Sequence, residues 1–350
     1  AYDVAAYMQH RIQRGLFSYK PPCKLAVRGH LSTLDEPKSR PVWVYPFEVT
    51  ILEAKWAVPF YEHLELNVPE VHFGENAMPR LAQLLMGGIS DHSESAEVTI
   101  DWTSFDARLP QWMMREAFQI IWDSFDNTFA YHNGEDVFGG EKMVRKNQFL
   151  FDWITDYFIK TKLMLPDGTV HEKQHGLPSG SFFTQAVGSI VNAIAIYTLD
   201  SYFEWQARRI RILGDDSSFL VPIFKPGKVD GSKIKEAAWK AFGFTLKEEK
   251  LRIATRQDNR KFLGYEVEGY RFKRPDKEWM LLVLHPERDV QYLEQSASRV
   301  LAYYLLGGVN SELYCSFFWD YIARYPWLRD KELKITRGLK RMFKFVLRQD

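Results

Sequence analysis

Two adjacent carboxylates stand in the middle of the stretch RILGDDSSFL, where Asp215 and Asp216 follow Gly214. Apolar runs on both sides predict two short strands joined by a tight Gly-Asp-Asp-Ser turn. A solvated surface turn would account for one Asp, because Asp tolerates turn geometry and hydrogen-bonds its own backbone. A rigid hairpin could instead present both carboxylates to a hard cation such as Mg²⁺, which prefers oxygen ligands. The turn alone leaves both interpretations open.

A second pair of carboxylates lies at the end of a different predicted strand and just past it. The stretch AEVTID alternates as a strand should and ends at Asp101, and Asp106 follows within DWTSFD. A charge at a strand end is often a mere cap. If both predicted strands share a sheet, however, Asp101, Asp215 and Asp216 meet at one edge and could bind two divalent ions. Two metals about 3.5–4 Å apart stabilise the attacking and leaving oxygens of an in-line phosphoryl displacement.

A glycine-rich loop supplies the third stretch, GLPSGSFFTQAVGSIVN, which begins at Gly176 and enters a long predicted helix. Its glycines and proline permit a tight loop. Ser179 and Thr184 contribute hydroxyls, and Asn192 lies two helical turns beyond Thr184. A capped helix start would satisfy the same pattern, so the loop by itself is weak support for a substrate site.

Taken together and in this order, the three stretches resemble the palm motifs of viral RNA-dependent RNA polymerases. Asp101-x4-Asp106 is similar to the first motif, Ser179-Gly180-x3-Thr184 to the second, and Gly214-Asp215-Asp216 to the third. The resemblance extends from about residue 38 to residue 265. The sequences DWTSFDARLP, GLPSGSFFTQ and GDDS most resemble those of partitiviruses and related double-stranded RNA viruses.

The resemblance implies an α+β fold, a right-hand polymerase with fingers, palm and thumb and a split-βαβ antiparallel palm sheet. The expected boundaries are 1–95 for the fingers, 96–121 for the first palm segment, 122–174 for a fingers insertion, 175–284 for the remaining palm and 285–350 for an incomplete thumb. We expect residues 1–45, which are basic and punctuated by proline, to be extended or looped. We also expect a polymerase core cut from a longer protein.

The resemblance also implies roles for individual residues. Asp101, Asp215 and Asp216 are expected to be catalytic metal ligands for two Mg²⁺ ions, or for Mn²⁺. The residues expected to bind substrate are Lys38, Arg40, Asp106, Ser179, Gly180, Thr184 and Asn192. Cations in the loop EPKSRPVW would neutralise the phosphates of the incoming triphosphate. Lys24 and Arg28 are weaker candidates for the same task.

Sugar recognition departs from the family pattern. Many relatives carry an Asn four residues after the motif Thr that helps to read the ribose, and here that place is Gly188. Asn192 is the next amide along the chain, and its role is open. Asp106 is the better candidate for contact with the 2′-hydroxyl, the group that separates RNA from DNA substrates.

Lys250 occupies the place of a proposed proton donor, because FGFTLKEEK resembles the fourth palm motif. An ammonium can protonate a leaving pyrophosphate, and such general acids typically contribute about 10²–10⁴-fold in rate. Alternatively, Lys247, Lys250 and Arg252 form one solvated basic stretch, as charge runs usually do. The next stretch, KFLGYE, resembles the fifth motif, a hairpin that grips the primer strand.

Composition is that of a globular protein, and its uneven charge is compatible either with a polyanion-binding face or with ordinary solvated helix faces. Net charge is only +1, yet acidic residues concentrate in residues 51–136 and basic residues in 205–274. Two distant cysteines argue against a disulfide scaffold and predict a reducing compartment. The longest weakly polar run, Ala186–Leu199, is too short to span a bilayer, and no secretory leader is visible.

Two other function classes compete with this interpretation. A reverse transcriptase or another palm polymerase would share the metal carboxylates, but Asp106 favours ribonucleotides over the aromatic sugar filter common in such enzymes. A capsid or scaffold protein that binds RNA would leave the paired aspartates unexplained. We expect RNA template, nascent RNA and ribonucleoside triphosphates as partners, a viral capsid protein as a further one, and no membrane insertion. The expected location is the host cytoplasm, within the virion.

Overall fold

A computed structural model describes residues 2–29, 39–68, 95–132, 135–222, 229–247, 250–254, 261–268, 271–286 and 290–325. Its α-helices are α1 (Tyr2–Ile12), α2 (Phe47–Asn67), α3 (Phe105–Arg108), α4 (Gln111–Asp123), α5 (Gly140–Ile159), α6 (Thr184–Phe203), α7 (Gly231–Phe242), α8 (Asp276–Leu284), α9 (Leu293–Leu305) and α10 (Glu312–Arg324). Its strands are β1 (Cys23–Gly29), β2 (Ser39–Val44), β3 (Ser95–Asp101), β4 (Phe129–His132), β5 (Glu135–Phe138), β6 (Lys162–Met164), β7 (Val170–Glu172), β8 (Arg208–Leu213), β9 (Asp216–Pro222), β10 (Leu251–Ala254), β11 (Lys261–Phe262), β12 (Tyr265–Glu268) and β13 (Arg271–Lys273).

The central sheet has the order β10-β3-β9-β8 and is antiparallel throughout. Its two middle strands are buried along most of their length, and since consecutive residues point to opposite faces, both faces of these strands are covered. Helix α6 is the main cover: nine of its residues are buried, and its small side chains let it approach the strands closely. The predicted antiparallel sheet with helices behind it is therefore confirmed.

A cluster of aromatic rings packs the helices α4 and α5 against the start of α6. The Phe118 ring contacts the rings of Phe151, Phe158 and Phe183 at centroid distances of 5.0–5.9 Å. All four rings are at most 3% exposed, so this cluster fixes the three helices relative to one another. Edge-to-face ring pairs of this kind add about 0.5–1.5 kcal/mol each beyond area burial.

A second four-stranded sheet, β2-β1-β6-β7, joins the start of the chain to the segment after α5. Cys23 pairs with Leu163 in parallel at its centre. The prediction that residues 1–45 are extended or looped is wrong for the first of them, since residues 2–12 form α1. Ala5, Met8 and Ile12 recur at helical spacing and are buried, and this apolar stripe outweighs the nearby charges and prolines.

A smaller core lies beyond the central sheet. It contains Phe262, Tyr265, Trp279, Val300 and Tyr314, together with their neighbours. The meander β11-β12-β13 and the helices α8, α9 and α10 thus pack as one unit.

Helix α6 is long and apolar enough to cross a membrane by length and composition. In this fold, half of its most apolar 18-residue stretch is buried inside the protein. The helix extends further than the run Ala186–Leu199, so length alone does not exclude a span. Buried Ser189 and Asn192 and contacts with the central sheet are typical of a core helix.

Candidate active site

The fold brings the three predicted metal ligands to one edge of the central sheet. The register of β3 and β9 sets Asp101 directly opposite Asp216, and β8 sets Leu213 opposite Asp216 from the other side. The turn is shorter than predicted, because only Gly214 and Asp215 form it and Asp216 already lies in a strand. Gly214 has a φ of +61°, as the first position of a type II′ hairpin turn requires.

Burial and mutual repulsion dominate the electrostatics of this edge. Burial, and then the charges of Asp215 and Asp101, raise the pKa of Asp216 to about 6. Burial, and then Asp106 and Asp101, raise the pKa of Asp215. The Lys250 cation opposes both shifts. Carboxylates that hinder one another's ionisation are stabilised when a cation binds between them.

Lys250 reaches this edge immediately before β10. Its Nζ donates to Asp101 Oδ1 at 2.7 Å, and the two side chains remain 34% and 40% exposed. The pairing of Leu251 with Ile100 fixes the approach. The Lys250 ammonium therefore makes a directed contact with Asp101, rather than lying on a uniformly solvated basic face.

Two side chains of helix α6 bind backbone groups in and beside the turn formed by Gly214 and Asp215. The Gly214 N–H donates to Ser189 Oγ at 2.8 Å, and Asn192 Nδ2 donates to the Gly214 carbonyl at 2.9 Å and to the Asp216 carbonyl at 3.4 Å. Asn192 Oδ1 accepts from the Trp102 indole N–H at 2.8 Å. Asn192 is fully buried, and its amide thus connects the end of β3 with the turn between β8 and β9.

Gly188 lies where the resemblance in sequence leads us to expect a ribose-reading Asn. A Cβ at Gly188 would lie 3.3 Å from Leu177 Cδ1 and 3.8 Å from the Gly214 Cα, so a larger side chain would press on the turn. One helical turn before Gly188, the exposed Gln185 lies beside Gly214: its Nε2 would be 3.0 Å from a Cβ built on Gly214. Gln185 is an amide beside the turn that the motif comparison did not single out.

The loop before α6 packs against strand β2. The Trp43 N–H donates to Ser179 Oγ at 3.2 Å. A Cβ on Gly180 would lie only 1.8 Å from the Trp43 carbonyl oxygen, so only glycine fits there. Thr184 Oγ1 donates to the Pro178 carbonyl at 2.6 Å and closes the loop on itself. Ser179 and Gly180 are exposed and face the surface that β2 borders.

Asp106 is held beside the aspartate edge by its backbone, because the Leu177 N–H donates to the Asp106 carbonyl at 2.7 Å. Crowding by the surrounding protein raises the pKa of the Asp106 carboxyl, and the Arg40 cation opposes that rise. Arg40 is thus close enough to influence the ionisation of Asp106. This interaction links strand β2 to the edge that carries the aspartates.

Arg40 has a basic neighbour on the adjacent strand. It pairs in register with Arg28 of β1, one of the weaker candidates, and both are exposed. Like charges directly opposite one another destabilise a sheet, and a bound polyanion would offset that cost. Lys24 lies at the other end of the same ladder, opposite Val44. Lys38 lies outside the described residues.

Sequence reasoning missed three further polar residues near the site. Glu53 is completely buried on α2. The sequence feature that could have identified it is a charged residue inside the otherwise apolar stripe of that helix. Lys261 is near enough to Asp216 to oppose the rise of its pKa. Lys173 is 7% exposed, its Nζ donates to the Gly176 carbonyl at 2.6 Å, and burial lowers its pKa to about 7. Nothing in the local sequence pattern identifies Lys173, whereas Lys261 begins the stretch KFLGYE that resembles the fifth motif but was not itself expected at the aspartate edge.

Residues 13–325 match the family described as viral RNA-dependent RNA polymerase. The chain belongs to this family. The RNA-directed RNA polymerase of Cryptosporidium parvum virus 1 (strain KSU-1) is 30% identical over 219 residues, which are 59% of this chain and 37% of that protein. That of Atkinsonella hypoxylon virus (isolate 2H) is 23% identical over 253 residues, 59% of this chain and 36% of that protein.

The chain spans less than two fifths of the length of these two curated relatives. The crystal structure of the RNA-dependent RNA polymerase of a human picorbirnavirus superposes with a TM-score of 0.67 at 17% identity, covering 87% of this chain and 55% of that one. The predicted polymerase family, with relatives among double-stranded RNA viruses, and the right-hand fold are confirmed.

Viral RNA-dependent RNA polymerases generally use divalent metal ions, and the donor set of this family member fits such ions. Carboxylate oxygens are hard ligands, and the raised pKa values of Asp215 and Asp216 reflect crowding that a cation would relieve. Among the residues that the structure describes, no three acidic, histidine or cysteine side chains already form a closed cluster. The aspartates therefore form an edge of the sheet that could bind ions, rather than a preformed set of metal ligands.

Proposed function

We propose that this chain carries out template-directed RNA synthesis by two-metal nucleotidyl transfer, and so replicates and transcribes a viral RNA genome. The observation that carries the proposal is the pairing of Asp101 with Asp216 at the edge where Asp215 turns. Three carboxylates on rigid, adjacent strands meet the requirement for precise placement that such chemistry imposes. Family membership supplies the reaction class.

The mechanism assigns separate tasks to the residues of this edge. Asp101, Asp215 and Asp216 would hold two Mg²⁺ ions, or Mn²⁺, which lower the barrier by neutralising charge on the reacting oxygens. Lys250 would donate a proton to the departing pyrophosphate. In the structure its ammonium is bonded to Asp101, so it already lies at the reacting edge.

The nucleotide would lie between β2 and the loop before α6. Arg40, with Arg28 opposite it, would neutralise the triphosphate, and Lys38 remains a predicted helper. The exposed Ser179 and Gly180 would line the same space. Asp106, crowded and close to Arg40, would accept a hydrogen bond from the ribose 2′-hydroxyl, which a deoxyribonucleotide lacks.

The partners that follow are an RNA template, nascent RNA and ribonucleoside triphosphates, with a viral capsid protein as a structural partner. The host cytoplasm and the virion are the corresponding locations, without membrane insertion. The sheet β2-β1-β6-β7 supports grouping 122–174 with 1–95 as fingers. The palm would then be 96–121 with 175–284, and the thumb 285–350.

Primer extension tests the proposal. The chain is incubated with a defined RNA template, an RNA primer and labelled ribonucleotides, with Mg²⁺ and Mn²⁺ in turn. We expect extension that follows the template sequence, is blocked by a chelator and is absent from Asp215→Ala. Extension by folded Asp215→Ala would contradict the metal assignment. A wild-type protein that binds RNA but extends no primer with either metal would contradict polymerase activity.

A reverse transcriptase is the second candidate, because its carboxylate edge would have the same form. The same assay with deoxyribonucleotides distinguishes the two. A strong preference for ribonucleotides supports RNA synthesis, whereas efficient incorporation of deoxyribonucleotides on an RNA template would favour reverse transcription.

A further inference from the structure

The loop Pro178–Thr184 is held from outside the central sheet by a buried carboxyl group. Glu53 lies on α2, 128 residues earlier in the chain, and its Oε1 accepts from Ser181 Oγ at 2.8 Å. Its Oε2 accepts from the Phe182 N–H at 2.9 Å. Ser181 Oγ also accepts from the Phe183 N–H at 3.0 Å. One side chain thereby organises three consecutive residues just before α6 begins.

A tyrosine two helical turns further along α2 also forms hydrogen bonds with this loop and with the start of α6. The Tyr61 hydroxyl donates to the Phe182 carbonyl at 2.7 Å and accepts from the Ala186 N–H at 3.1 Å. Phe182 therefore has both of its backbone polar groups bound by α2, through Glu53 and Tyr61. Because Ser179 and Gly180 belong to the same loop, their position depends on this helix.

A carboxyl is an unusual choice for this place. Glu53 is fully buried, and the titratable groups whose pKa its charge raises are Cys23 of β1, Tyr45 beside β2, Tyr61 of α2 and Tyr157 of α5. None of these is cationic, so within the described part of the chain they offer no compensating charge. Burial accordingly raises the pKa of Glu53 to about 8, although its two hydrogen bonds act in the opposite direction.

We propose that Glu53 is a positioning residue that fixes the Pro178–Thr184 loop for the incoming nucleotide, and that it does so as a neutral acid. The proposal rests on the proposed function. A neutral carboxyl keeps an acceptor for the Phe182 N–H, and the Ser181 hydroxyl can reverse its role across the remaining bond. Ionisation would place an uncompensated charge under the loop and weaken this arrangement.

Two substitutions of Glu53 separate its shape from its charge. Glu53→Gln keeps the size, one acceptor and one donor, and never ionises. Glu53→Ala removes both contacts. Glu62 lies on the same helix and is exposed, so Glu62→Gln is the matched control. The readouts are KM for a ribonucleotide and kcat in primer extension, from pH 6 to pH 9.5, beside the melting temperature.

For Glu53→Ala we expect KM to rise about tenfold, as the loss of one or two hydrogen bonds implies, with a smaller change in kcat. Glu53→Gln should match the wild type at pH 7. The wild type and Glu62→Gln should lose nucleotide affinity above a pH of about 8, and Glu53→Gln should not show that loss. An identical pH dependence of KM in wild type and Glu53→Gln would overturn the proposal, as would an unchanged KM in folded Glu53→Ala.

A readout independent of catalysis keeps this test separate from the test of polymerase activity. Amide hydrogen exchange of residues 178–186 is compared between wild type and Glu53→Gln at each pH. We expect equal protection at pH 7 and faster exchange in the wild type at pH 9.5. Equal protection at both pH values would overturn the neutral-acid assignment, and unchanged protection in folded Glu53→Ala at pH 7 would overturn the positioning role, even if the chain proved to have no polymerase activity.

Discussion

The indole N–H of Trp102 donates to Asn192 Oδ1 at 2.8 Å, across 90 residues of sequence, and both side chains are buried. Trp102 follows Asp101 directly, and the other end of the Asn192 amide binds the carbonyls of Gly214 and Asp216. Asn192 therefore couples the two strands that carry the aspartates. With its amide bonded at both ends, it fits a positioning role better than the open role in ribose recognition.

Asn192→Ala should lower incorporation of ribonucleotides and deoxyribonucleotides by a similar factor. It leaves the Trp102 N–H and the Gly214 carbonyl without their amide partner, at a cost of about 1–3 kcal/mol for each buried group. Urea unfolding should show the loss of stability, and Trp102→Phe should reproduce part of it. Thr198→Ala, on the exposed side of the same helix, is the control. A loss confined to ribonucleotides would return Asn192 to sugar recognition.

Asp101→Ala and Asp215→Ala should each abolish nucleotide incorporation while the protein stays folded. Each removes oxygen ligands from the proposed metal pair, and each relieves repulsion among carboxylates whose pKa values are already raised. Asp216→Ala should retain measurable activity, because this carboxylate is expected to tune the site. Extension assays with circular dichroism as the folding check test this. Asp126→Ala, an exposed carboxylate, should behave like the wild type.

The aspartate edge could be predicted from sequence because its determinants are local. Alternation up to Asp101 and the glycine before Asp215 suffice to define a strand end and a tight turn. The role of Glu53 could not be predicted, because a glutamate in an apolar stripe has no meaning until its partner 128 residues away is known. The same holds for Asn192, whose spacing predicts a helix face but not the strand end it binds. Helix α1 was missed because charges and prolines obscured a short apolar stripe.

Asp106→Ala should reduce discrimination between ribonucleotides and deoxyribonucleotides by about two- to tenfold, the equivalent of one hydrogen bond. The reason is that its carboxylate is proposed to accept from the 2′-hydroxyl. Asp106→Asn keeps an acceptor and should retain most of the selectivity. Competition between matched nucleotides on one template measures the ratio. If both variants discriminate as the wild type does, the ribose is read elsewhere, and the exposed Gln185 is the next residue to substitute.

Lys173 should make stability rise with pH. Burial lowers its pKa from 10.5 in the unfolded reference to about 7. Below pH 7 both states are charged and the folded state bears the full cost of a buried cation. Between pH 7 and 10.5 the unfolded state binds more protons, so the free energy of unfolding increases with pH. The wild type should therefore gain stability relative to Lys173→Met over this range in urea titrations. The exposed Lys162→Met should track the wild type, and a constant difference for Lys173→Met would refute the assignment.

Lys250 can serve the reaction either as a proton donor or as a fixed charge, and its 2.7 Å contact with Asp101 makes both roles physically reasonable. Lys250→Arg separates them, because arginine keeps the positive charge but does not release a proton in proteins. If Lys250 is the general acid, single-turnover incorporation should slow by about 10²–10⁴-fold in both Lys250→Ala and Lys250→Arg.

The matching ionisation should then disappear from the pH–rate profile of both variants, whereas Lys247→Ala should change neither the rate nor the profile. A Lys250→Arg variant as fast as the wild type would show that charge alone matters, so that Lys250 stabilises the Asp101 edge. Small, salt-sensitive effects shared by Lys247→Ala and Lys250→Ala would instead mean that both lysines hold RNA phosphates, since screening weakens such contacts.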